Sequence, residues 1–410
     1  MKITRRRVVN LVLVLASIIF TFLAGEIALR FTKFEHTIKR YSFYNYPFPK
    51  FYFKPDPVKG YDIRENFQES EAYADRDRTY KIWSNEVGCF DTPAKNIDNY
   101  VLLVGDSFTH AYTDFQDKWG TYAESLLGYR ILKCGVSGYG TKDELYKAKD
   151  IISKVKHPPK LIILGYFIND LQDDYLFPQI TILEGCRIFD RTLDRKTGEI
   201  FLRKDLKNEF QLWKKYGLNT YPKNPYYVRA RYFFKKHSII YNLVRIVFFN
   251  AFLNPIELDL SYNDYPWIKN AWEKHFENLR EFKKLAESCG ARLLVVEIPA
   301  KYQVFSGRFA EFKNIDPEKP NKILNNFFQA EGIDFIDLLP YFKKEANADP
   351  DNKNFTPKIL YWKYDAHWNK TGNHLAGLLV SKYILEKNLL NIDDRERKFA
   401  NIEQLILNGY

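Results

Sequence analysis

The sequence predicts an α/β fold, a doubly wound parallel sheet flanked by helices in three layers, with an N-terminal transmembrane helix and a helical insertion. Three runs predict the sheet because each is continuously apolar, as parallel strands buried on both faces are. These runs are residues 101–104, 161–164 and 293–296. Helical patterns lie between them, and such alternation indicates βαβ units. Ligands bind these sheets beyond the carboxyl ends of the strands, where we look for functional residues.

The N-terminus predicts a membrane anchor over residues 1–30. Basic residues within the first seven positions precede a predominantly apolar stretch at residues 8–29. About 20 such residues cross a hydrocarbon core of ~30 Å. The flanking cations orient the helix with its N-terminus in the cytoplasm and the remaining chain outside. A signal peptide cleaved near Ala24-Gly25, which would give a secreted protein, is the alternative.

Shorter patterns complete the sheet and its helices. Residues 129–133 and 333–336 are further candidate strands. Residues 267–288 predict an amphipathic helix, because apolar side chains recur at spacings of three and four after Pro266 and the pattern stops at Gly290. Residues 143–155 predict another helix.

The chain divides in sequence into four parts. Residues 31–98, rich in Tyr, Phe and Pro, predict an irregular lead-in. Residues 99–390 predict the main domain, interrupted by an aromatic and basic insertion at about residues 171–266, and residues 391–410 form a C-terminal tail. The insertion either rims the functional edge of the sheet or packs as a helical cap on the body.

Composition restricts the partners. The net charge of +11 suits an anionic surface such as phospholipid headgroups or acidic glycans. We expect no nucleic-acid partner, because no DNA- or RNA-binding motif is present. The four cysteines permit one or two disulfides in an extracytoplasmic location, with three full pairings open. No Cys or His pair has ligand spacing, so we predict neither a metal nor a cofactor.

A candidate nucleophile follows the first apolar run in the segment Gly105-Asp106-Ser107-Phe108. A serine hydroxyl is a weak nucleophile unless a neutral imidazole takes its proton and a carboxylate orients the imidazole. Asp365 and His367, far downstream, are the residue types for those roles. A serine after a strand is also a common helix cap, so Ser107 alone is weak evidence.

Two further blocks follow strands and offer hydrogen-bond donors. Residues 134–141 form a glycine-rich turn containing Gly138, whose backbone N–H can point into a cleft. Asn169 follows the run at residues 161–164 and offers a side-chain amide. An ordinary tight turn and a helix cap are the alternative interpretations of these two blocks.

Together the four blocks resemble the GDSL/SGNH hydrolase superfamily, whose blocks supply Ser, Gly, Asn and His in this order. The resemblance covers residues 85–385 without the insertion. The motif is not the Gly-x-Ser-x-Gly elbow of α/β-hydrolases, since Thr109 stands at the second glycine position. The spacing of Asp365 and His367 departs from the commonest Asp-x-x-His block and is similar to SGNH-like O-acyltransferases that modify exported polysaccharides. Asp351 or another carboxylate is therefore an alternative orienting acid.

The resemblance implies roles for individual residues. Ser107 would attack an ester carbonyl, His367 would take its proton and Asp365 would accept the other imidazole N–H. The oxyanion hole would consist of the backbone N–H groups of Ser107 and Gly138 and the amide of Asn169. His110 is an alternative base but more simply a structural residue, and His374 is expected to be a solvated or capping residue.

The expected function is an extracytoplasmic serine esterase or O-acyltransferase that acts on small acyl esters of a cell-envelope glycan. Its partners would be the acylated glycan or another ester, the cytoplasmic membrane through the N-terminal helix and, for a transferase, a membrane acyl-donor protein. The alternative is a catalytically silent envelope protein of this fold that binds glycan or a partner protein.

Overall fold

The computed structural model describes residues 5–32, 47–75, 78–203, 206–207, 230, 233–234, 237–250, 265–305, 316–347, 356–363 and 365–409. The chain divides into two compact units. The first consists of residues 1–46 and 205–254, and the second of residues 47–204 and 255–410. The insertion predicted at residues 171–266 therefore contributes to both units.

The described strands are β1 (Phe53–Asp56), β2 (Gly60–Ile63), β3 (Ser70–Asp75), β4 (Arg78–Ile82), β5 (Val101–Gly105), β6 (Ile131–Lys133), β7 (Leu161–Phe167), β8 (Ile180–Leu183), β9 (Cys186–Phe189), β10 (Arg191–Leu193), β11 (Ile200–Leu202), β12 (Arg292–Ile298) and β13 (Asp334–Asp337). The described helices are α1 (Arg5–Arg30), α2 (Ser107–His110), α3 (Trp119–Leu127), α4 (Thr141–Lys154), α5 (Asp170–Leu176), α6 (Ile239–Asn250), α7 (Pro266–Ser288), α8 (Lys301–Val304), α9 (Lys319–Glu331), α10 (Leu339–Ala346), α11 (Lys370–Glu386) and α12 (Arg395–Leu407).

The central sheet confirms the predicted fold class. Five parallel strands lie in the order β13-β12-β7-β5-β6, and the three apolar runs of the sequence are β5, β7 and β12. Every residue of β5 and β7 is buried, which explains why the runs do not alternate. Gly105 pairs with Gly165, so β5 and β7 end near the same level.

Helices flank the sheet in two groups. Helix α7 packs on α4 and α5, whereas α11 packs on α3 and α12. In α7 the predicted apolar face is buried at Ile268, Trp272, Leu279 and Phe282. The helix begins with Pro266 at its first position, where the missing N–H costs nothing.

The lead-in and the insertion both contain antiparallel hairpins. Strands β1–β2 and β3–β4 lie in the lead-in, and β8–β9 and β10–β11 lie in the insertion. Hairpin β1–β2 of the lead-in packs against hairpin β8–β9 of the insertion, because β2 contacts β8. Gly60 allows this approach: a Cβ there would lie 2.1 Å from the carbonyl oxygen of Ile180. A disulfide between Cys89 and Cys134 also joins the lead-in to the turn after β6.

The first unit pairs α1 with α6. Within the described residues α1 is the one helix long and apolar enough to cross a membrane, over Val12–Arg30. Glu26, which interrupts its apolar sequence, accepts hydrogen bonds from Ser238 Oγ at 2.9 Å and from the N–H of Ile239 at 2.6 Å. The carboxylate thereby caps the N-terminus of α6.

Candidate active site

The structure brings three of the four sequence blocks to one edge of the sheet. Ser107 follows β5, the glycine-rich turn follows β6 and Asn169 follows β7, and these three strands are neighbours. The turn runs on beside β5, since the Val136 N–H donates to the Gly105 carbonyl at 2.9 Å. The predicted site residues therefore share the edge where parallel sheets bind ligands.

Asp106 holds the helix turn that carries Ser107. Its Oδ1 accepts from the Phe108 N–H at 2.8 Å and caps α2, while its Oδ2 lies 3.1 Å from Ser107 Oγ. Burial raises the pKa of Asp106 to about 6. Thr109 packs into the space that two glycines leave, because a Cβ at Gly105 or Gly165 would lie 2.1 Å from Thr109 Oγ1.

His367 contacts Ser107 although the two residues are 260 positions apart in the sequence. Its Nε2 lies 2.8 Å from Ser107 Oγ, and its Nδ1 is hydrogen-bonded to Asp365 Oδ1. The same Asp365 oxygen accepts from the backbone N–H of His367 at 2.8 Å. The single residue between Asp365 and His367 in the sequence therefore allows the carboxylate to bond to the imidazole. Asp351, the alternative acid, lies outside the described residues.

The loop that carries His367 is tied to the body. Lys301 donates to the carbonyl oxygens of Trp362 at 2.6 Å and of Asp365 at 3.1 Å. The ring of Tyr112 lies 4.2 Å from the imidazole between centroids. Burial lowers the pKa of His367, but the carboxylates of Asp365 and Asp106 together outweigh burial, so that the pKa is raised above 6.5.

The proposed oxyanion donors have distinct surroundings. Gly138 has φ +85°, a conformation that glycine adopts at little cost, and none of the hydrogen bonds among the described residues uses its N–H. Asn169 stands at the N-cap of α5 and donates through Nδ2 to Asp173 Oδ2 at 2.8 Å. That bond leaves the second N–H of the amide for another acceptor.

Acidic side chains lie buried behind Asn169. Burial raises the pKa of Asp173, Asp170 and Glu144 well above their usual range. Asp174 instead accepts from Asn278 at 2.8 Å and pairs with His275 at 2.7 Å, a partnership the sequence did not indicate. The raised pKa values favour protonated carboxyls, which can donate as well as accept hydrogen bonds.

The two other histidines considered from the sequence have different partners. His110 is fully buried, bonds to Tyr52 Oη at 3.0 Å, and has a pKa lowered well below 6.5, chiefly by burial. His374 bonds to Asp117 at 3.0 Å and stacks on Tyr122. The hydrogen bond to Asp117 therefore replaces the solvated or capping role expected for His374.

One cluster of three aspartates has the residue types of a metal site. Carboxylate oxygens of Asp56, Asp62 and Asp150 lie close together. The ammonium of Lys59 lies among them, at 2.9 Å from Asp56, 3.6 Å from Asp62 and 2.5 Å from Asp150. A lysine that neutralises the carboxylates in this way occupies the position a cation would need.

A group of residues around the glycine-rich turn could not be identified from sequence patterns. Tyr61 of β2 and Arg187 of β9 both donate to the carbonyl oxygen of Ser137, and Tyr112 Oη lies 2.5 Å from Ser137 Oγ. They come from segments with no motif, and only their three-dimensional convergence identifies them.

Neither the family models nor the curated proteins contain a match to this chain. Among solved structures, it is similar to a lipolytic protein of the G-D-S-L family from Desulfitobacterium hafniense DCB-2, with 12% identity, coverage of 69% of this chain and 98% of that one, and a TM-score of 0.32. An acetyl xylan esterase shares 13% identity over 70% of this chain and 98% of its own, with a TM-score of 0.36.

A third similar structure is a G-D-S-L lipolytic family member from Veillonella parvula DSM 2008, with 11% identity, coverage of 70% and 97%, and a TM-score of 0.34. Two of these three proteins carry the family name that the sequence blocks predicted.

Proposed function

We propose that the protein is a membrane-anchored, extracytoplasmic serine enzyme that removes or transfers small acyl groups on a cell-envelope glycan. The observation that carries the proposal is the contact between Ser107 Oγ and His367 Nε2 at 2.8 Å, with Asp365 bonded to the other imidazole nitrogen. This is the arrangement in which an imidazole activates a serine hydroxyl.

In the proposed reaction, Ser107 Oγ attacks the ester carbonyl carbon while its proton passes to His367 Nε2. The Asp365 carboxylate stabilises the imidazolium that forms. The N–H groups of Ser107 and Gly138 and the amide of Asn169 hold the tetrahedral oxyanion, each donor contributing about 3 kcal/mol to transition-state stabilisation. The alcohol then leaves with the proton from His367, and the acyl group remains on Ser107.

The second half of the reaction depends on the acceptor. Water deprotonated by His367 would release the acid and make the protein an esterase. A sugar hydroxyl that reached the acyl-enzyme first would accept the acyl group, which requires a site that excludes water. The spacing of Asp365 and His367, similar to that of polysaccharide O-acyltransferases, supports the second outcome.

A groove beside the histidine loop supports a glycan substrate. It measures about 560 Å³ and is lined by Asp75, Arg78, Thr79 and Trp362. The Trp362 indole N–H donates to the Tyr112 carbonyl at 3.1 Å, and the Arg78 guanidinium lies 5.3 Å from the indole centroid. An aromatic face with polar neighbours is the kind of surface on which sugar rings stack.

The location outside the cytoplasm is supported by two features. Helix α1 is long enough to span a membrane and follows basic residues that favour a cytoplasmic N-terminus. The disulfide between Cys89 and Cys134 is of a kind that persists in oxidising compartments. For a transferase, a membrane protein would supply the acyl donor.

The test uses the full chain in detergent, with a small acetyl ester as substrate. Wild type is expected to hydrolyse the ester and to react with a fluorophosphonate probe, whereas Ser107→Ala loses both. Equal rates for the two proteins would overturn the proposal. Glycan binding that survives Ser107→Ala, without probe labelling of wild type, would identify the silent binding protein instead. Adding candidate glycan acceptors to an acyl donor then separates hydrolysis from transfer.

A further inference from the structure

Two side chains from different segments converge on one carbonyl oxygen next to the proposed oxyanion hole. Tyr61 Oη donates to the Ser137 carbonyl at 2.8 Å, and the Arg187 Nη1 donates to the same oxygen. Arg187 Nη2 also lies 3.3 Å from Ser137 Oγ. Tyr61 belongs to the lead-in hairpin β1–β2 and Arg187 to the insertion hairpin β8–β9.

The Ser137 carbonyl and the Gly138 N–H belong to the same peptide unit. A trans peptide is planar, with its C=O and N–H pointing in opposite directions. Donors that hold the oxygen on one side therefore fix the direction of the N–H on the other side. A charged donor on the oxygen also polarises the peptide, which strengthens its N–H as a hydrogen-bond donor.

The guanidinium that binds this oxygen is itself held in place. Its carbon lies 4.5 Å from the ring centroid of Phe53, 4.9 Å from that of Phe48 and 5.5 Å from that of Tyr61. A Cβ at Gly138 would lie 3.1 Å from both Arg187 Nη1 and Tyr61 Oη, so the two donors pack directly on this glycine. Stacking against rings leaves the planar group little freedom to move away.

We propose that Tyr61 and Arg187 are positioning residues that set the direction and donor strength of the Gly138 N–H toward the oxyanion. The inference rests on the proposed function, since it assigns Tyr61 and Arg187 to the same reaction. It gives the lead-in and the insertion a shared role: each supplies one donor to a peptide of the main domain.

The test compares four variants of the full chain in detergent with a small acetyl ester, which is too short to bring groups of its own to Arg187. Arg187→Gln and Tyr61→Phe each remove one donor to the Ser137 carbonyl. Arg187→Lys retains the charge but not the planar group. Arg191→Gln is the matched control, because Arg191 also donates to a carbonyl oxygen in the insertion, that of Phe177 at 3.1 Å.

Loss of an oxyanion donor itself slows turnover about a hundredfold or more, so loss of the charged group that orients it should lower kcat about tenfold. Tyr61→Phe should have a smaller effect because it removes a neutral donor, and Arg187→Lys should lie between wild type and Arg187→Gln. The KM should change little. Affinity for a trifluoromethyl ketone, whose adduct with Ser107 carries an oxyanion, should fall in proportion to kcat/KM.

Unchanged kcat and ketone affinity in Arg187→Gln would overturn the inference. So would a fall in kcat that tracks a loss of thermal stability and leaves ketone affinity intact, or an equal fall in Arg191→Gln. These failures leave the proposed function standing as long as wild type is active and Ser107→Ala is not. An inactive wild type would overturn the proposed function itself.

Discussion

His367 and His110 lie near the same serine but in surroundings of different charge. His367 faces Ser107 Oγ with one nitrogen and Asp365 with the other. His110 belongs to the same short helix as Ser107, yet its ring lies among Phe48, Phe90 and other aromatic rings and bonds to Tyr52 Oη. Burial acts on both imidazoles, and only His367 has a carboxylate against it.

The pKa values of the two residues move in opposite directions for this reason. Burial lowers the pKa of His110 well below 6.5, whereas two carboxylates, chiefly that of Asp365, raise the pKa of His367 above 6.5 in spite of burial. Proximity in sequence to the nucleophile is therefore a poor guide to the base. The carboxylate partner and the direction of the ring decide which histidine can take the proton.

Replacing each of the two histidines by glutamine should give the largest difference in kcat between the two positions. His367→Gln removes the proton acceptor and should lower kcat for an acetyl ester by a factor on the order of 10⁴ or more. His110→Gln can keep the hydrogen bond to Tyr52 and should leave kcat close to that of wild type. Initial rates of the full chain, with thermal unfolding of each variant, check the expectation. Similar losses in both variants would show that the comparison does not distinguish the base.

Asp365→Asn should have the next largest effect. The amide cannot stabilise the imidazolium or the required tautomer, so kcat should fall by roughly 10³- to 10⁴-fold. A general base is active when neutral, and in wild type kcat/KM should therefore fall as the pH drops through the raised pKa of His367.

Replacing Asp365 removes the larger of the two carboxylate effects that raise the pKa of His367, that of Asp365 rather than Asp106, while burial, which lowers the pKa, remains. The midpoint of the residual activity should then move to lower pH in Asp365→Asn. Rates measured between about pH 5 and 9 give the two midpoints. A midpoint that stays in place or moves upward would assign the titration to a group other than His367.

The smallest effect concerns stability in acid. Unfolded His110 binds a proton below its ordinary pKa of 6.5, while the buried ring resists protonation, so acid favours the unfolded chain. This one residue can lower the free energy of unfolding by at most about 1.4 kcal/mol for each pH unit below that value. His110→Gln should flatten the dependence, measured by denaturant unfolding at several pH values. An unchanged slope would argue against a proton-resistant His110.

The sheet and the position of Ser107 at its edge were predictable because their signals are local, whereas the contact of Ser107 with His367 was expected from the resemblance of the four blocks to a known family. Continuous apolar runs indicate strands buried on both faces, and a polar block after each run marks the functional edge. The residues around the Ser137 carbonyl carry no such signal. Tyr61 and Arg187 stand in short hairpins whose positions depend on packing against each other, and sequence spacing does not encode that contact.

The departures from the sequence expectations have similar causes. Residues 47–98 lack sustained periodicity, yet they contain β1 to β4, because two-stranded hairpins are short and turn-rich. Within the predicted tail, α12 packs on α11. The aromatic and basic residues at 226–236 of the predicted insertion lie mostly outside the described residues.

The cap that Glu26 forms on α6 bears on the fate of the N-terminal segment. A protease that cut after Ala24 would leave this carboxylate near a charged, freely moving amino terminus instead of on a rigid helix. The groups it binds, Ser238 Oγ and the first N–H groups of α6, would then compete for it with water. The segment around Glu26 is thus part of the architecture of the first unit, and cleavage after Ala24 would carry a structural penalty.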